Sequence, residues 1–144
     1  MSRNKGFTLI ELMIAMAIIA IIAAIAFPAF TKSAMKGRRA DAKAALTRHA
    51  QALERCYTQY GTYNNGLCST EVNSSAAFIG ATSDKGYYTI SATSFSGVAY
   101  KLTATAVTSG PQANDTGCTV MNIDNTGIQS SGSSGSSTDT NNCW

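Results

Sequence analysis

The chain has 144 residues, 44% of them hydrophobic, with 11 Lys/Arg against 8 Asp/Glu and a formal net charge of +3. That length holds one modest domain, and one histidine with no nucleophile–base pair or Gly-rich phosphate loop argues against an enzyme. The charge is divided: residues 1–60 carry nine Lys/Arg against Glu11, Asp41 and Glu54, whereas residues 61–144 carry only Lys85 and Lys101 against five carboxylates. An acidic presumptive body does not read as a general nucleic-acid binder.

The first predicted element is apolar. From Phe7 to Phe27 run 21 residues in which only Thr8 and Glu11 are polar. At 1.5 Å per residue this helix covers about 31 Å, enough to cross a hydrocarbon core of about 30 Å. Arg3 and Lys5 precede it, which keeps the N-terminus on the cytoplasmic side. Composition fits a signal anchor, and it also fits a cleaved signal peptide with Ala24-Ile25-Ala26 as the site. Glu11 decides between them. A charge deep in a bilayer costs about 2.5–3.5 kcal/mol, less near an end, and usually has a partner and a task. The segment contains no cation to pair with it, so the partner is expected on another molecule.

The run Lys5-Gly6-Phe7-Thr8-Leu9-Ile10-Glu11-Leu12, continued by an apolar stretch to Phe27-Pro28, resembles the N-terminus of type IV pilins and, less exclusively, of type II secretion pseudopilins. The resemblance implies cleavage by a prepilin peptidase after Gly6 and methylation of the new amine on Phe7. The apolar helix then leaves the membrane only on entering a filament, where Glu11 faces the Phe7 amine of a neighbouring subunit. In a low-dielectric core that attraction is strong, and a misregistered subunit would leave a charge unpaired. Glu11 is thus expected to set assembly register. Ala20 stands where pilins of this kind often have glycine, which bears on melting between Ala20 and Pro28. Pro28 matches the family and is expected to kink the helix or free a carbonyl.

After Pro28 the chain continues as helix. Ala42, Leu46, His49, Leu53, Cys56 or Tyr57, and Tyr60 recur at spacings of three and four, with Asp41, Lys43, Arg48 and Arg55 on other faces. Gly61 is a natural stop. His49 is expected in the core, and Lys36-Gly37-Arg38-Arg39 on a solvated face. The stretch Arg38–Leu46, with Tyr57 and Tyr60, resembles the PilE-type group of pilins.

Residues 61–86 lack periodicity and read as a loop with one short element near Ala76–Ile79. A period of two then marks strands around Tyr88–Ala92, Tyr100–Ala106 and Cys118–Ile123, and Asp124-Asn125-Thr126-Gly127 turns into a fourth near Ile128. Asp115 and Asp124 are expected in Asx turns rather than as calcium ligands. The segment from Ser130 to Asn142 reads as a surface loop, and its serines are possible O-glycosylation positions. Cys56, Cys68, Cys118 and Cys143 form no CxxC pair, and His49 completes no zinc ligand set. Three disulfide connectivities are open, with proximity favouring Cys56–Cys68 and Cys118–Cys143. The second accords with the disulfide-bounded C-terminal loop of pilins, and Cys143-Trp144 resembles the PilE-type ending.

The expected fold is α+β, a pilin fold with a long N-terminal helix on a small antiparallel β-meander. Residues 1–6 are expected as leader, 7–30 as the hydrophobic half of the helix, and 31–144 as an exported head including the amphipathic half, 31–60. The expected function is that of a minor or priming subunit of a type IV pilus serving adhesion, twitching motility and DNA uptake. The alternatives are the major pilin, a type II secretion pseudopilin, and a pilus-borne DNA receptor using Arg38, Arg39 and Arg48. A secreted domain released after Ala26 is a further rival. Implied partners are other pilin subunits, the prepilin peptidase/methylase, the inner-membrane assembly machinery and the membrane, with nucleic acid the least favoured. No cofactor or metal is expected.

Overall fold

The computed structural model describes residues 6–65, 81–132 and 142–144. The chain forms two compact units, Met1–Ala34 and Met35–Trp144. One helix, α1, runs from Leu9 to Tyr60 and passes through Pro28 without interruption. Thr31 Oγ1 donates to the Pro28 carbonyl at 3.0 Å. In the first unit every described residue from Gly6 to Phe30 is exposed, including Phe7, Leu9, Ile18, Ile22 and Phe27. A helix this apolar with no covering face needs lipid or other protein around it.

The second unit is built on a meander. Strands β1 (Ala81–Thr82), β2 (Tyr88–Phe95), β3 (Tyr100–Ala106), β4 (Val120–Asp124) and β5 (Gln129–Ser131) lie in chain order, each antiparallel to the next. Alternation sends Tyr88 and Ile90 of β2, Leu102 and Ala104 of β3, and Met121 and Ile123 of β4 to one face. The register places Ile90 opposite Ala104, Ala104 opposite Met121, and Leu102 opposite Ile123, so large and small side chains alternate across the sheet. This layer shares a buried core with Ala42, Ala45, Leu46 and Leu53 of α1. Each fully buried Leu or Ile contributes about 1.5–3 kcal/mol. A bulge at Thr93 shifts the β2–β3 register, and Thr93 Oγ1 lies 3.1 Å from Thr103 Oγ1.

Gly61 ends α1 with φ of 70°, as its place after the amphipathic run suggests. The fold class and the strands from Tyr88 onward agree with the sequence. Four expectations need correction. The strand β1 has no counterpart in the sequence reading, because two residues are too few to show a period. Ser130 and Ser131 belong to β5 and are buried rather than looped out. Asp41 lies buried instead of on the polar face, held there by a backbone hydrogen bond from Lys85. Arg39 is drawn off the solvated face by Asp115. The element near Ala76–Ile79, Cys68 and most of the Ser-rich segment lie outside the described residues.

Candidate functional site

The N-terminal end of α1 is capped by its own sequence. Thr8 Oγ1 accepts a hydrogen bond from the Glu11 backbone N–H at 3.3 Å, and the Leu12 N–H donates to the Thr8 carbonyl at 3.2 Å. Thr8-Leu9-Ile10-Glu11 is thus one half of a capping box, with Glu11 three residues past the cap where a carboxylate meets the positive end of the helix dipole. The carboxylate is exposed, as are Gly6 and Phe7 beside it. The apolar part of α1 is long enough to cross a membrane by length and composition.

In the second unit an arginine and an aspartate meet in a fork. Arg39 Nε donates to Asp115 Oδ2 and Nη2 to Oδ1, both at 2.7 Å, with side chains 14% and 7% exposed. Gln112 joins them, its Nε2 donating to Asp115 Oδ2 at 2.7 Å and to the Met35 carbonyl at 3.1 Å. Asp115 is therefore a buried tie between α1 and the β3–β4 loop, not the Asx turn expected of it. The same loop is bound to the C-terminus by the Cys118–Cys143 disulfide, and Trp144 Nε1 donates to the Ser130 carbonyl at 2.9 Å. Cys56 is also disulfide-bonded; the expected partner, Cys68, lies outside the described residues. Asp124 does form the expected Asx turn, accepting from the Thr126 and Ile128 backbones at 2.9 and 3.0 Å. Burial pushes its pKa up, but these hydrogen bonds outweigh burial and hold it below the usual range.

A second polar face lies on the other flank of α1. The turn between β1 and β2 closes through Gly86, at φ of 72°, with Gly86 N–H donating to the Ser83 carbonyl. It docks where Lys85 N–H meets Asp41 Oδ1 at 3.2 Å. At one end of this dock the Arg38 guanidinium sits 5.4 Å from the Tyr87 ring centre. At the other, Arg48 Nη1 donates to Asp84 Oδ1 and Oδ2 at 2.9 and 2.8 Å. Hydrogen bonding from Arg48 holds Asp84 below the usual carboxylate range. Beyond it, Arg48, His49, Ala52 and Arg55 line a hollow of about 290 Å³. Burial, then the neighbouring Arg48 cation, keeps the His49 pKa below its ordinary value, so the ring is predominantly neutral at pH 7. Arg38 on the Tyr87 ring and Arg48 on Asp84 thus flank the turn that carries Lys85, whereas Arg39 is turned to Asp115.

Glu54 anchors the end of the helix by accepting hydroxyl hydrogen bonds from Tyr100 at 3.0 Å and Tyr63 at 3.2 Å. Tyr63 meets Tyr100 edge-on and stacks on Tyr57. Among the described residues no group of three or more His, Cys, Asp or Glu is placed to hold a metal.

These features resolve against known proteins. Residues 1–27 match the prokaryotic N-terminal methylation motif. Residues 28–122 match the family model of the type IV minor pilin ComP, DNA uptake sequence receptor. The fold resembles the non-core minor pilin PilV of Neisseria meningitidis, with 18% identity and a TM-score of 0.54 over 74% of this chain and 96% of that one. It also resembles a type IV pilin from Shewanella oneidensis, with 25% identity and a TM-score of 0.51 over 76% and 97%. No curated protein sequence matches the chain. With two thirds of its length under one family model, the chain belongs to the family of the type IV minor pilin ComP, a family of structural pilus subunits and not of enzymes.

Proposed function

We propose that this minor pilin is the subunit through which a type IV pilus captures DNA. The observation that carries the reading is the family match across residues 28–122, since that family is described by a DNA uptake sequence receptor. The flank bearing Arg38, Arg48 and Lys85 supports it. Three cations beside the exposed turn of a small head offer phosphates a footprint, although residues 61–144 are acidic in sum.

Assembly follows from the N-terminal unit. In this reading the prepilin peptidase removes residues 1–6 after Gly6, and Phe7 becomes the methylated N-terminus. Before assembly residues 7–30 lie in the inner membrane, with the N-terminus cytoplasmic and the head of residues 31–144 exported. The inner-membrane machinery then draws the helix into the filament, where Glu11 pairs with the Phe7 amine of a neighbour and sets register. Pro28 is the point at which the helix adjusts. Cys56–Cys68 staples the segment after α1, as Cys118–Cys143 staples the C-terminus. Adhesion and twitching motility belong to the filament as a whole; DNA capture is the part assigned to this subunit.

The test is binding of a fluorescent random-sequence 24-base-pair duplex to the full chain in detergent, over a salt series. Affinity falling linearly on a log–log plot, with a slope of about −2 to −3 for two or three phosphates, is the expected result. No binding at 50 mM salt would remove the reading.

A further inference from the structure

Two arginines of α1 meet aspartates across the fold, and they are held in different ways. Arg39 grips Asp115 with two nitrogens in a fork, at side-chain exposures of 14% and 7%. Arg48 meets Asp84 through Nη1 alone, which is shared between both carboxylate oxygens, at exposures of 52% and 63%. The Arg48 Nε and Nη2 donors have no hydrogen bond among the described residues. A two-nitrogen fork is the geometry that suits a carboxylate or phosphate, and here only one edge of the guanidinium is used.

Asp84 takes up the one edge of the Arg48 guanidinium that is engaged. It belongs to the turn whose Lys85 N–H meets Asp41 of α1 and which is followed by Tyr87 under Arg38. The hollow beside it is lined by Arg48, His49 and Arg55. Exposed ion pairs of this kind are weak and are screened by salt, so a dense row of phosphates can replace the carboxylate while a lone anion competes poorly.

We propose that Asp84 is an internal competitor for DNA phosphate at Arg48, lowering sequence-independent affinity so that capture depends on the remaining contacts. Building repulsion against the wrong partner is a general route to specificity. The inference rests on the DNA-capture reading. In it, docking the duplex swings Asp84 away from Nη1, and the guanidinium turns its free edge to a phosphate oxygen.

The experiment uses the full chain in detergent and the random-sequence 24-base-pair duplex, comparing the native chain, Asp84→Asn, Arg48→Gln and the double variant. Asp84→Asn keeps the shape and removes the charge. It is expected to tighten binding at least about threefold at 50 mM salt with the salt slope unchanged, because Arg48 reaches the same phosphate in both chains. The gain is expected to vanish in the Arg48→Gln background. A gain that persists there would overturn the inference, because it would come from net charge alone. If the native chain binds with a salt slope but Asp84→Asn leaves its affinity unchanged, the competitor role fails and DNA capture stands. If the native chain does not bind at 50 mM salt, DNA capture fails and the competitor role goes with it. Unchanged thermal unfolding of Asp84→Asn is expected and separates these outcomes from misfolding.

Discussion

Arg39 and Asp115, 76 residues apart in sequence, are joined by two parallel hydrogen bonds of 2.7 Å, and Gln112 extends the contact to the Met35 carbonyl. This knot fastens the β3–β4 loop, and with it the Cys118 end of the C-terminal disulfide, to α1. Removing Asp115 leaves the mostly buried Arg39 charge without its carboxylate, with the Asn142 carbonyl at 3.5 Å from Nη1. Asp115→Ala is therefore expected to cost about 3–5 kcal/mol in denaturant unfolding of the detergent-solubilised chain. The paired change Arg39→Met with Asp115→Leu removes both charges and is expected to cost far less. Equal losses from the two variants would show that the knot is not an ion pair in effect.

The disulfide acts on the same region through the unfolded chain. Cys118 and Cys143 are 25 residues apart, and a loop of that size contributes about 3.5 kcal/mol in the chain-entropy model. Replacing both with serine is expected to lower the thermal midpoint while keeping the far-ultraviolet signal of α1, measured by circular dichroism. Loss of the helical signal at all temperatures would contradict the placement of this bond as a local staple.

How far the sequence announces these features depends on their range. Helix α1 repeats its apolar positions within a turn or two, and β2 and β3 alternate within seven or eight residues, so both are legible. The cap Thr8-x-x-Glu11 is legible too, as a short motif with a known mechanism. The two aspartate contacts of the β1–β2 turn and the Arg39 knot join residues 36 to 76 positions apart. No local period reports such pairs. Asp41, Asp115 and Arg39 accordingly read as turn and solvent positions, whereas the fold buries the two aspartates and mostly covers Arg39.

His49 makes stability depend on acidity. Burial and the Arg48 cation depress its folded pKa below the ordinary 6.5. The unfolded chain binds a proton near pH 6.5 that the folded chain refuses, so the contribution is full above that pH. It is lost as pH falls through 6.5 toward the lower folded value. Urea midpoints between pH 7.5 and 5 are expected to fall in the native chain and to fall less steeply in His49→Gln; identical slopes would refute a half-buried ring held neutral by its surroundings.

The alkaline side has the opposite sign. Burial pushes Tyr88 up to about 12, and burial with the Glu54 hydrogen bond raises Tyr100 as well. Unfolded tyrosine releases its proton near 10. Stability is thus intact below about pH 10 and declines as pH rises from there toward 12. Tyr88→Phe is expected to flatten that decline, read as the thermal midpoint against pH. A midpoint independent of pH up to 12 would mean that these hydroxyls are not withheld from water.

Processing is checked by intact mass of the exported chain. A chain beginning at methylated Phe7 with Glu11 retained is expected; one beginning at Phe27 would take away the filament account.

The most direct test of the central claim is DNA uptake by cells lacking this subunit, with their pili counted in the same cultures. The account predicts filaments still present and uptake lost, restored by the native chain. Uptake unchanged in piliated cells lacking the chain would contradict its role as the subunit that captures DNA.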